Sequence, residues 1–185
     1  MPLPVAHALL GAAVGEALRR PARGRRRKIL LTCALLGVCP DFDYALNWLR
    51  VSGGGWHHGF THSIAFAALL GLLTAVVLRD VKARSVLVFG AATASHTLLD
   101  LLVTDSRGVT LWWPFTNRRY RLGLDGPVDY VWSNASVWDV VVAVLGVSVV
   151  ELIIFGSLLA VVFLVRRSLG PGAGGSQKFA ADDET

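Results

Sequence analysis

Three of the chain's five histidines fall within six residues, in the stretch His57-His58-Gly59-Phe60-Thr61-His62-Ser63. Histidine is the side chain most used as a metal ligand and as a proton shuttle near neutral pH. Two other stretches can bring partners to it: Pro40-Asp41-Phe42-Asp43-Tyr44, and Ser95 to Asp100, which holds His96 and Asp100. A further imidazole, His7, lies near the N-terminus. His96 and Asp100 are four apart and therefore share one helix face. Inside an apolar segment such groups face a partner or a wet cavity, because leaving them against lipid is costly. Asp41 and Asp43 flank Phe42, and carboxylates so close repel unless a cation lies between them. The alternative for that pair is a capping turn, which Asp and Pro both favour. His57 and His62 are five apart, which predicts a loop-to-helix placement. Gly59 permits a sharp path there, and Thr61 is suited to cap the helix that His62 enters.

Imidazoles with carboxylates suit zinc, manganese or iron, with zinc and manganese foremost. The candidate ligands are His7, Asp41, Asp43, His57, His62, His96 and Asp100, enough for one or two divalent ions. A two-metal site clamps the attacking and leaving oxygens and generates hydroxide at neutral pH. Asp41 or Asp43 could instead act as general base. No serine or cysteine arrangement makes an equal nucleophile. Metal-dependent hydrolysis is the expected chemistry, on a small-molecule or lipid-like substrate such as a phosphoester. A metal-binding transporter would use similar ligands but needs a path to both faces. A non-catalytic structural or regulatory membrane protein would use these residues only to join helices.

The elements that must position these groups are apolar runs. The 185-residue chain is 54% hydrophobic and 17% charged, against about 25% charged in soluble domains. Runs extend over Leu3–Leu18, Ile29–Val38, His62–Leu78, Val86–Val103 and Val140–Val165. They predict an all-α, polytopic membrane helix bundle of four to five transmembrane helices. Residues 1–168 form its one domain, and 169–185 a disordered tail. Pro40 ends the second run as a regular helix. Gly11 and Gly15, among alanines, give the first run a small-residue face for close packing. Asp139 is placed to cap the last helix. Glu151, deep in it, is left outside the site, paired with another helix or marking a break. Cys33 and Cys39 lack the short spacing of a zinc or redox motif and are expected as small buried residues. The N-terminus lacks the basic lead-in of a secretory signal and is expected to belong to the mature protein.

Basic residues sit at the ends of the runs, so membrane lipids rather than nucleic acid are the expected partner. If five helices start outside, the segments falling inside carry thirteen Lys/Arg and those outside carry five. The positive-inside rule then puts the N-terminus outside and the basic loops and C-terminal tail in the cytoplasm. All the candidate ligands reach the outer face in that arrangement. Trp112, Trp113, Trp132 and Trp138 are expected to form an interfacial belt.

An N-terminal histidine, PDxD, a histidine–glycine–threonine–histidine–serine stretch and HxxxD followed by a G…PF segment occur here in order. They are His7, Asp41 with Asp43, His57 to Ser63, His96 with Asp100, and Gly108 with Pro114-Phe115. In this combination the chain resembles the LexA-regulated, inner-membrane, YdjM-like family of metal-dependent hydrolases, from about residue 5 to 120. The resemblance implies a reaction class and not a substrate. That family usually has arginine where this chain has His58. If that arginine binds an anionic substrate group, the role passes to His58 in a weaker, pH-dependent form.

Overall fold

The computed structural model describes residues 2–19, 26–44, 49, 57–103, 108–123 and 136–169, and among these residues the regular structure is five α-helices and two short 3₁₀ turns. The helices are α1 (Pro4–Leu18), α2 (Arg26–Val38), α3 (Ile64–Val77), α4 (Ala83–Val103) and α5 (Val137–Ser168). The turns are Cys39–Phe42 and Phe60–His62. Among the described residues the only β pairing is one antiparallel bridge, Val109 to Tyr120. The expected all-helical class therefore holds. Among the described residues two helices are long and apolar enough to cross a membrane, Ala83–Leu102 and Val137–Ser168; Pro4–Leu18 and Ile64–Val77 are apolar but shorter. The Trp132 position and the tail beyond residue 169 lie outside the described residues.

The local starts and stops follow from residue chemistry. Pro4 opens α1, where its missing N–H costs nothing. Pro40 ends α2 as expected, and the chain tightens into the 3₁₀ turn that carries Asp41. The third helix starts two residues later than the apolar run suggests. Its cap is Ser63, whose Oγ accepts from the Phe66 N–H at 3.1 Å. Thr61 is therefore not the cap, and its hydroxyl serves the site instead. Ser136 and Asp139 form a reciprocal capping box at the start of α5.

Close backbone approach fixes how α1 meets α2. A Cβ on Gly37 would collide with the carbonyl of His7, and one on Gly11 with the carbonyl of Cys33. The helices thus touch main chain to main chain, as small-residue interfaces in membranes do. Cys33 and Leu36 of α2, Ala75 of α3, and Val88, Phe89 and Ala92 of α4 then pack as the apolar centre.

One end of the bundle is tied by arginines. Glu16, fully buried, accepts from Arg19 at 2.6 and 2.8 Å and from Arg26 at 3.1 Å. Arg84 donates to the Leu18 carbonyl, and Arg166 to the carbonyls of Ala17 and Arg19. These satisfy the carbonyls that a helix C-terminus leaves open. At the other end, Glu151 accepts the N–H groups of Leu3 at 2.6 Å and Ala6 at 3.1 Å. A residue of α5 thereby caps α1, which explains a carboxylate halfway along an apolar helix. Glu151→Leu is expected to lower stability by about 2 kcal/mol, the worth of hydrogen bonds to a charged group. Thermal unfolding in detergent checks this; an unchanged midpoint would show the cap to be inert.

Candidate metal centre

All five histidines are buried, together with Asp43 and Asp100. Four segments deliver them. His7 comes from α1, Asp41 and Asp43 from the turn after α2, His57, His58 and His62 from the segment before α3, and His96 with Asp100 from α4. Their ligand atoms fall into two sets. Those of Asp41, His62, His96 and Asp100 lie within 4.8 Å of one another, as do those of His57, His58 and His62.

In the first set, His62 Nε2 and His96 Nε2 are 3.0 Å apart. Asp100 Oδ2 lies 3.1 Å from the latter and 3.2 Å from the former. Asp41 Oδ1 is 3.4 Å from His96 Nε2 and 3.8 Å from His62 Nε2. The state of these nitrogens follows from the other side of each ring. His96 Nδ1 is 2.7 Å from the Gly37 carbonyl oxygen, which can only accept, so Nδ1 carries the proton. Thr61 donates its hydroxyl to Asp43 Oδ2 at 2.7 Å, which leaves Thr61 Oγ1 to accept from His62 Nδ1 at 3.0 Å. In the neutral rings both Nε2 atoms are then bare lone pairs, facing each other beside carboxylate oxygens. Neither Asp41 Oδ1 nor either oxygen of Asp100 has a hydrogen-bond partner among the described residues. Buried carboxylates and imidazole nitrogens that converge so closely need a proton or a metal cation among them. A divalent ion fits this donor set. Fixing a ligating imidazole by hydrogen-bonding its far nitrogen to a carbonyl or carboxylate is the usual support of a metal site.

Asp43 does a different job from Asp41. Its Oδ1 accepts from His57 Nδ1 at 2.9 Å, and its Oδ2 from Thr61, with His62 Nδ1 3.5 Å away. Burial alone would raise its pKa, but the hydrogen bonds from His57, His62 and Thr61 outweigh that and hold the carboxyl well below its usual range. The two aspartates thus do not converge on one point. Asp41 faces the bare nitrogens, and Asp43 stands behind the imidazoles and orients them.

The remaining histidines are close but differently placed. His7 stacks on His96 with centroids 3.8 Å apart, and its Nε2 is 3.6 Å from Asp100 Oδ1. His58 Nε2 is 4.0 Å from Asp100 Oδ2. Its backbone has φ of 61°, a left-handed conformation that costs a non-glycine residue about 1 kcal/mol or more. The Gly37 carbonyl and the Thr61 hydroxyl are the supporting groups that sequence reading does not single out. A backbone oxygen carries no sequence signal, and Thr61 has a competing reading as a helix cap.

The YdjM inner membrane protein family matches this chain over residues 1–169. The chain is also 30% identical over 126 residues to the inner membrane protein YbcI of Escherichia coli (strain K12), covering 65% of this chain and 72% of that protein. No solved structure matches. The match takes in every residue of the histidine–aspartate cluster and all but the tail of the bundle, and the chain belongs to the YdjM inner membrane protein family.

Proposed function

We propose that this membrane protein is a metal-dependent hydrolase, crossing the membrane four to five times, with its site toward the exterior leaflet and its arginine-tied end in the cytoplasm. What supports the reading above all is the convergence of His62 Nε2 and His96 Nε2, 3.0 Å apart, on Asp100. Asp41, His62, His96 and Asp100 would hold a divalent ion such as zinc or manganese. When bound there, the ion supplies Lewis acidity toward an ester oxygen and lowers the pKa of a water. Thr61, held by Asp43, and the Gly37 carbonyl keep the two rings in the ligating tautomer. Asp41 is the one member of the four with side-chain exposure, 11% against 0% for the other three, which suits it to meet substrate and take up a proton. His58, 4.0 Å from Asp100, is placed to meet an anionic group of the substrate. His7 and His57 would complete the ligand shell or serve a second ion with His58.

The arginine-tied end argues against transport. Glu16, the buried carboxylate there, is engaged by Arg19 and Arg26 and offers a moving cation no free ligand. The test is metal analysis of the purified full-length protein, followed by assays on phosphoesters and phospholipids. Stoichiometric zinc or manganese with hydrolysis of one of these is the expected result. A protein that takes up neither metal, or is inert when loaded, would sink the proposal.

A further inference from the structure

The segment 108–123 closes on itself as a short hairpin over the site. Val109 and Tyr120 exchange backbone hydrogen bonds of 2.9 Å in both directions. Gly108 has φ of +68°, and a Cβ on it would lie 2.7 Å from the Tyr120 carbonyl oxygen, so only glycine serves there. The hairpin is pinned to the site's own segments at both ends. The Thr110 N–H and hydroxyl donate to the His58 carbonyl, the Ile64 N–H to the Leu111 carbonyl, and the Leu122 N–H to the carbonyl of Leu101, next to Asp100.

Its outer surface has a particular composition. Trp112, Trp113 and Phe115 are exposed, the last to 88%. Arg118, Arg119 and Arg121 are exposed beside them, and the segment contains no carboxylate. Arg118 lies over the Tyr120 ring, and Arg119 donates to the Gly108 carbonyl. Depth gives the occupant. Arg84 marks the arginine-tied end, and Leu101, where the hairpin joins α4, is seventeen residues further on. At 1.5 Å per residue the hairpin stands about 26 Å above those arginines, close to the ~30 Å thickness of a hydrocarbon core. Exposed tryptophan and arginine at that level match the headgroup zone of a bilayer.

We infer that the 108–123 hairpin is a docking surface for the phosphate headgroups of anionic lipids in the leaflet on the site's side, and that the site draws its substrate from that leaflet. The second half rests on the hydrolase reading; the first does not. Trp112, Trp113 and Phe115 enter the acyl boundary, and the arginines hold phosphate at the mouth of the histidine cluster.

The experiment is native mass spectrometry of the full-length protein in detergent, titrated with phosphatidylglycerol or with phosphatidylcholine. Metal content is read on the same samples. Preferential retention of phosphatidylglycerol is expected, with a loss of about fivefold in affinity for each arginine neutralised. The double variant Arg118→Gln, Arg119→Gln should show that loss at unchanged metal content, and Arg118→Lys, Arg119→Lys should restore binding. Since Arg119 also braces the hairpin, Arg118→Gln alone provides a second variant that leaves the brace intact. Equal retention of the two lipids, or indifference to both glutamine variants, would overturn the docking surface and leave the metal proposal standing. Competition by soluble glycerol 3-phosphate as strong as by the lipid would also overturn it, because the leaflet would then not be the source.

Discussion

His96→Ala is expected to lower the protein's affinity for zinc or manganese by more than about 100-fold, beyond the 10–100-fold usual for losing an outer-shell partner. The substitution removes a nitrogen that lies within 3.4 Å of His62, Asp41 and Asp100 at once. It also frees the Gly37 carbonyl, whose hydrogen bond sets the ring's tautomer. Competition with a graded chelator, read by metal analysis after desalting, gives the number. Should His96→Ala hold metal as tightly as the parent, the cluster is a hydrogen-bonded strut and the hydrolytic reading falls. Because a buried histidine can matter for folding too, the melting profile of the variant is needed alongside. A folded variant without metal is the informative outcome.

Gly37→Ala is expected to destabilise the protein by about 3 kcal/mol, at the upper end of the usual cost of overpacking. The added methyl would land on the His7 carbonyl, which is main chain of a packed helix and cannot swing aside. Relief requires α1 to part from α2, and that carries His7 away from Asp100 and tilts the Gly37 carbonyl from His96. Loss of metal should therefore accompany the loss of stability. Gly146→Ala is the matched control, since a Cβ there meets nothing within 4 Å. Gaining helix propensity, it should be neutral or slightly stabilising, by up to about 1 kcal/mol. Equal melting temperatures for the two variants would refute the close-contact account.

The segments that build the site were readable because apolar runs and their breaks are strong signals. Pro40 ends a helix wherever it stands, and the Val86–Val103 run predicts α4 almost to its ends. The gathering of His7, Asp41, Asp43, His57, His62, His96 and Asp100 follows from placing those runs side by side. The division of labour within the cluster does not. Asp41 and Asp43 are the same residue type two positions apart, and only the turn's geometry sends one toward the nitrogens and the other behind them. Glu151 does pair with another helix, one of its two expected roles, but its partners are the N–H groups of Leu3 and Ala6, and a main-chain donor has no spelling in sequence. Thr61 misled because threonine serves equally as a cap and as a hydroxyl relay, and the cap went to its neighbour Ser63. Apolar runs reveal helices more readily than spans: α1 and α3 are apolar but short for a bilayer of ordinary thickness, whereas α4 and α5 are long enough.

His62 belongs to both groups of prospective ligands. Its Nδ1 hydrogen is committed to Thr61, with the Asp43 carboxylate just behind, so the ring has one lone pair to give. Two cations cannot each receive it. Filling the Asp41–His96–Asp100 side withdraws His62 from the His57–His58 side, and that side then keeps two imidazoles, too few to hold an ion strongly. A titration with zinc should accordingly rise in two unequal steps, tight and then weak, rather than in one step to a stoichiometry of two.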